Sequence, residues 1–118
     1  MDNDSEQAQV NDVIVMLKPY MSPVIIDQPY SCFTIDLNGQ CIGDAEEKKP
    51  DNGILIDADH VDVTIKNGSV YGKKFGIVTN GARTDVTLTA RNVNAASDQT
   101  AYYLPAAGKT VITGGSAE

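Results

Sequence analysis

The side chains best suited to chemistry lie in one short run, Asp57-Ala-Asp-His-Val-Asp62, which places Asp57, Asp59, His60 and Asp62 within six residues. Hard carboxylate oxygens at this density are the ligand type that Ca²⁺ takes. A carboxylate beside an imidazole is also a pair that can pass a proton. The same residue types are what a turn between two strands requires, because Asp and Asn bond their own backbone and tolerate tight bends. The turn reading is favoured, and no catalytic residue is assigned. Asp27 and Asp36 are expected to point outward, where paired carboxylates would suit glycoside hydrolysis. Arg83 and Arg91, the two arginines of the chain, fall in or beside expected turns and are read as solvated or carboxylate-paired. Asn67, Asn80, Asn92 and Asn94 are read as turn residues. Tyr71 and Tyr103, expected to be exposed, offer an aromatic surface for a ligand such as a sugar. Cys32 and Cys41 do not have metal-ligand spacing, and a single histidine argues against a tetrahedral zinc site. They are read as two unpaired thiols in preference to a disulfide across Phe33–Gln40, which would fit an exported protein but which an extended strand between them would hold apart. No cofactor is expected beyond a Ca²⁺ on the acidic run.

Positioning these residues falls to a repeat. Gly53 to Val70, Gly76 to Val93 and Ala101 to Thr113 can be laid over one another, with Gly53 and Gly76 separated by 23 residues. A fixed period of this size marks a solenoid, in which each coil stacks on the one before. Phe33-Thr-Ile-Asp-Leu37 alternates apolar and polar side chains, as a half-buried strand does. Asn38-Gly39 reads as a tight turn, and residues 43–52 as a protruding polar loop. The period predicts three inward columns, Ile54/Ile77/Tyr102, Ile56/Thr79/Leu104 and Val63/Val86/Val111. It equally pairs Ile65 with Leu88 and Val70 with Val93. Residues 11–20 read as a short helix or irregular segment covering the first coil, with Pro19 ending it.

The strings Phe33-Thr-Ile-Asp-Leu-Asn-Gly39, Asn52-Gly-Ile-Leu-Ile-Asp57, Val63-Thr-Ile-Lys-Asn-Gly68 and Phe75-Gly-Ile-Val78 resemble the repeats of right-handed parallel β-helix proteins, the pectate-lyase-like superfamily. The resemblance implies an all-β fold, a short right-handed parallel β-helix of about four to five coils over residues 23–118. Residues 1–22 would form a polar lead-in and N-terminal cap. It leaves activity open, since that superfamily holds lyases, hydrolases and non-catalytic adhesins. The calcium-binding carboxylates and catalytic arginine of its lyases have no match at identified positions here. A leucine-rich repeat would need a Leu-x-x-Leu-x-Leu pattern, and a β-sandwich would not impose a fixed period.

Composition narrows the function classes. A formal charge of -7 with scattered basic residues argues against nucleic acid. No stretch approaches the ~20 apolar residues that span a bilayer, so no membrane insertion is expected. The start, Met1-Asp-Asn-Asp-Ser-Glu-Gln, is neither a signal peptide nor a basic targeting segment. The expected location is secreted or cell-surface if a leader has been removed, and cytoplasmic otherwise. Two functions are carried forward. One is a non-catalytic binding or structural module, associated with carbohydrate or a surface. The other is a small carbohydrate-active enzyme, a polysaccharide lyase or glycoside hydrolase, using acidic residues on one sheet. A homo-oligomer through an uncapped coil end is expected in either case.

Overall fold

Strands β1 (Asp12–Val15), β3 (Cys32–Asp36), β6 (Val61–Gly72), β8 (Val86–Ser97) and β10 (Gly108–Thr113) lie side by side in that order, and every neighbour pair is parallel. In this computed structural model residues 12–43, 50–106 and 108–117 are described. Two short strands, β4 (Cys41–Ile42) and β11 (Ser116–Ala117), complete a seven-stranded sheet by pairing with the second halves of β6 and β8. A four-stranded sheet of β2 (Val24–Ile26), β5 (Asn52–Ile56), β7 (Phe75–Thr79) and β9 (Thr100–Tyr103) forms the opposite wall. The chain alternates between the walls, so each circuit adds one strand to each. The result is an all-β parallel solenoid of about four turns, without a helix among the described residues.

The sequence dictates the corners as well as the strands. Asn67 and Asn92 interrupt β6 and β8 with φ of 63° and 56°, and Asn38 and Gly114 hold 55° and 68° in the coils on either side. This left-handed region is open to Asn and Gly and costly for most other residues. A Cβ on Gly114 would also run into the Asn92 side chain of the coil beneath. The second corner repeats the device with Tyr30, His60 and Asp85, at 62°, 58° and 57°. Between corners, Val61, Val63 and Ile65 point inward and are fully buried, while Asp62 is exposed and Thr64 and Lys66 are half-buried. Each buried Val or Ile contributes roughly 1.5–3 kcal/mol. A coil cannot bury this row alone; it needs the equivalent row above and below it.

On the short wall the expected neighbours are found as far as Tyr103, where β9 ends short of Leu104, and on the long wall the columns are corrected. Ile54, Ile77 and Tyr102 are direct neighbours, as are Ile56 and Thr79. On the long wall Val86 sits beside Val61 and Gly108, not between Val63 and Val111. The columns are Val63–Leu88–Thr110, Ile65–Ala90–Ile112 and Val70–Ala95, so Ile65 does not meet Leu88 and Val70 does not meet Val93. The reason is the corner before each strand. Five positions separate Ile56 from Val61, but seven separate Thr79 from Val86. The two added residues slide the register by two, and an even slide keeps every side chain on its original face. The last coil slides by an odd number, which turns Val111 outward opposite Thr89 and brings Ile112 inward.

Residues 12–15 form a strand rather than the expected short helix or irregular segment, with Ile14 beside Ile35. Tyr20 continues this half-coil by bridging to Ile42. The strand at Val61 also begins earlier than expected, so Asp62 stands on the sheet and not in the turn. The polar lead-in of residues 1–11 and positions 44–49 of the expected loop lie outside the described residues. Both cysteines are free thiols. No helix among the described residues is long and apolar enough to cross a membrane.

Candidate functional site

The acidic run and the loop one coil later build a single corner. Backbone bonds set the coils in step: the Asp57 amide donates to Ile26 O, the Asn80 amide to Ile56 O and the His60 amide to Thr84 O. The side chains then tie coil to coil. Asp57 Oδ1 accepts from Asn80 Nδ2 and from Arg83 Nε, each at 2.9 Å. The Arg83 hydrogen bond, followed by that of Asn80, holds the Asp57 carboxyl below its ordinary 3.8, against the opposing effect of burial. Asn80 in turn shapes its own loop, since its Oδ1 accepts from the Ala82 amide at 2.9 Å. Asp59 Oδ1 accepts from the Thr84 amide at 2.9 Å.

His60 closes the corner. Its Nδ1 lies 2.9 Å from Asp85 Oδ2, and Tyr30 stacks on its ring with centroids 4.7 Å apart and planes 16° from parallel. Tyr30, His60 and Asp85 are thus a surface column across three successive coils. Asp57, Asp59 and His60 lie along this corner, each tied to a residue of the next coil and not to one another, whereas Asp62 stands on the outer face of the long wall beside Cys32 and Thr87. Among the described residues no group of three or more His, Cys, Asp or Glu side chains converges closely enough to hold a metal ion. Asp36 lies beside Lys66, and its Oδ1 accepts from the Asn38 amide at 2.9 Å.

The two tyrosines proposed as an aromatic surface sit on different walls. Tyr71 is on the long wall, and its hydroxyl donates to Asp98 Oδ1 at 2.8 Å. Tyr103 is on the short wall, 49% exposed, and stacks on Phe75 with centroids 4.9 Å apart and planes 18° from parallel. Tyr103 ends an outward column that runs Ile25, Leu55, Val78, Tyr103. Val78 is only 6% exposed although it stands outside the continuous core. Three side chains of this column were not anticipated as a surface. Their signal was the uninterrupted Val24-Ile-Ile26, Ile54-Leu-Ile56 and Ile77-Val78, since a strand apolar on both parities sets an apolar row on its outer face as well as its inner one. Tyr30 and Asp85 carried no comparable signal. No protein-family model matches this chain, and neither a curated protein nor a solved structure matches it.

Proposed function

We propose that this chain is a non-catalytic binding or structural module that presents the outer face of its short wall to carbohydrate and self-associates through its coil ends. The observation that carries the binding role is the half-exposed Tyr103, braced by Phe75 at the end of an apolar column. The weakly polar C–H groups on one face of a sugar ring pack on such a ring, and the stacked Phe75 fixes its orientation at low entropic cost. Asn52 and Thr100, which flank Phe75 in the sheet, supply hydrogen-bonding groups for sugar hydroxyls. The polar corner supports the same reading, because Asp57, Asp59 and His60 are each engaged in ties between coils.

Calorimetric titration against a panel of neutral and acidic polysaccharides, with and without Ca²⁺, tests this reading. Tyr103→Ala is expected to weaken any binding by about tenfold, the scale of one aromatic contact. Binding that survives the substitution unchanged would move the site elsewhere. One observation favours the second function, a carbohydrate-active enzyme: the His60–Asp85 pair has the geometry of a proton carrier held by a carboxylate. Sugar-chain cleavage by the wild type that is abolished in His60→Ala would establish it.

A further inference from the structure

The first and last strands break the rule that the interior strands follow. Val63-Thr-Ile-Lys66 and Leu88-Thr-Ala-Arg91 are apolar inside and polar outside. Val13-Ile-Val15 and Val111-Ile112 are apolar on both faces, and all five side chains stand exposed. The outward column makes the contrast plain: Val13, Thr34, Thr64, Thr89, Val111. Only the two end positions are apolar. Both strands are also sheet edges, with a pairing side that no strand among the described residues occupies.

At the first coil this apolar surface deepens into a partly open cavity of about 490 Å³, walled by Ile14, Met16, Val24, Ile26, Phe33 and Ile35. Residues 1–11 carry three acidic side chains and only Met1, Ala8 and Val10 as apolar ones, a composition that does not match this wall. Charge selects the occupant. The chain advances along the solenoid axis one coil at a time, so position in sequence is position along the axis. Among the described residues, those from 73 onward include five basic ones, Lys73, Lys74, Arg83, Arg91 and Lys109, against two acidic ones, Asp85 and Asp98. Those before them include seven acidic residues and two basic ones, Lys18 and Lys66. The half towards the first coil is therefore acidic and the half towards the last basic, so head-to-tail contact brings opposite charges together while a twofold contact between like ends does not.

We infer that copies of this chain stack head to tail, the last coil of one copy closing the apolar cavity at the first coil of the next. β10 then pairs in parallel with β1 of the next copy. Extending the columns without a break brings Ile112 onto Ile14 and Val111 onto Val13. Such a contact is heterologous, so it leaves a free end at each side and grows by addition. It rests on the self-association in the proposed function and specifies the two surfaces that meet.

The test uses two full-length variants, Ile14→Lys at the first coil and Ile112→Lys at the last, with mass followed by light scattering over a concentration series. The wild type should rise in steps of its 12.6 kDa chain mass. Each variant alone should remain at one chain, because each has lost one of the two complementary ends. Mixed, they should form a pair and stop there, through the intact last coil of one and the intact first coil of the other. A wild type at single-chain mass at every concentration overturns the proposal. So does either variant pairing with itself, which would mean a twofold contact. Should circular dichroism show either variant unfolded, the outward-facing Val13→Lys and Val111→Lys make the same comparison. Ile14→Lys, which lies on the other wall and at the other end from Tyr103, should bind glycan as the wild type does while it stays at one chain, so the two proposals fail separately.

Discussion

Asp57 anchors its corner through one carboxylate oxygen shared between Asn80 and Arg83. Both partners are side chains of the next coil, so this carboxylate acts as a rivet between coils. The ion pair is about one-third exposed on each side, which keeps its strength in the surface range of about 0.5–1 kcal/mol. Its pKa is depressed, so the folded state binds this proton less readily than the unfolded chain. The stabilisation is therefore present above the ordinary 3.8 and is lost as pH falls through the folded value. Thermal melts between pH 2 and 6 should show Asp57→Asn less stable than wild type at neutral pH, with the gap closing in acid. A constant gap would place the loss elsewhere. Tyr102 is the opposite case. Its hydroxyl is buried without a hydrogen-bond partner among the described residues, and burial raises its pKa above 10.0. The folded state holds that proton more tightly than the unfolded chain, so stability is lost as pH rises through 10 toward the folded value. Tyr102→Phe removes an unpaired polar atom and should leave stability at neutral pH unchanged or raise it by up to about 1 kcal/mol. It should also remove part of the alkaline decline. A loss above about 1 kcal/mol in a denaturant melt would mean that the hydroxyl contributes to the fold.

Among the elements, the corners set what the strands can do. Asn67 and Asn92 occupy left-handed backbone in the middle of twelve-residue strands, and there the long wall bends onto its second face. Asn92→Gly should be tolerated, whereas Asn92→Val should cost about 1–2 kcal/mol or more, because a β-branched side chain is poorly accommodated at positive φ. Urea melts of the two variants decide this, and equal stability would remove the corner argument. The corners also explain what could be read beforehand. Strand identity and parallel stacking were legible in alternation such as Val63-Thr-Ile and in repeated Asn-Gly turns, because both encode local backbone geometry. The register of the long wall was not. A two-residue addition between Thr79 and Val86 leaves inside and outside unchanged, so alternation is blind to it. The odd slide at Val111 follows the connection Leu104-Pro-Ala-Ala-Gly108, whose Pro and Gly mark a turn without fixing the register of the strand after it. In the candidate site, Asp57, Asp59 and His60 were legible as a dense polar turn. Tyr30 was not, because an aromatic residue is an unusual occupant of left-handed backbone, and it is held there by stacking on His60 and by its amide donating to Asp59 O. The short helix or irregular segment expected at residues 11–20 is a strand at its start for a related reason: Val13, Val15 and Leu17 alternate as a strand does, Val13, Met16 and Leu17 fit one face of a helix, and so short a run carries both patterns.

For the molecule as a whole, stability should follow position along the axis. In a solenoid each coil is supported by its own folding and by contacts with the coils on either side, so interior coils have two supports and end coils one. The coils carrying β6 and β8 hold the fully buried column residues Val63, Ile65 and Leu88. Ile65→Ala, which opens a cavity between neighbouring coils, should cost about 2–5 kcal/mol. Its effect should spread to β3 and β8, the strands on either side. Amide hydrogen exchange reads this directly. In dilute protein the amides of β6 and β8 should exchange slowest, and those of β1 and β10 fastest, since their outer sides face solvent. Raising the protein concentration separates two states of the ends. If β10 of one copy pairs with β1 of the next, exchange at both strands slows together while β6 and β8 keep their rates. Slowing at one end alone would indicate a twofold contact, and no slowing at either would leave both edges open in solution. Because the measurement reports on backbone pairing, it detects end-to-end stacking even where side-chain substitutions leave the total mass unchanged.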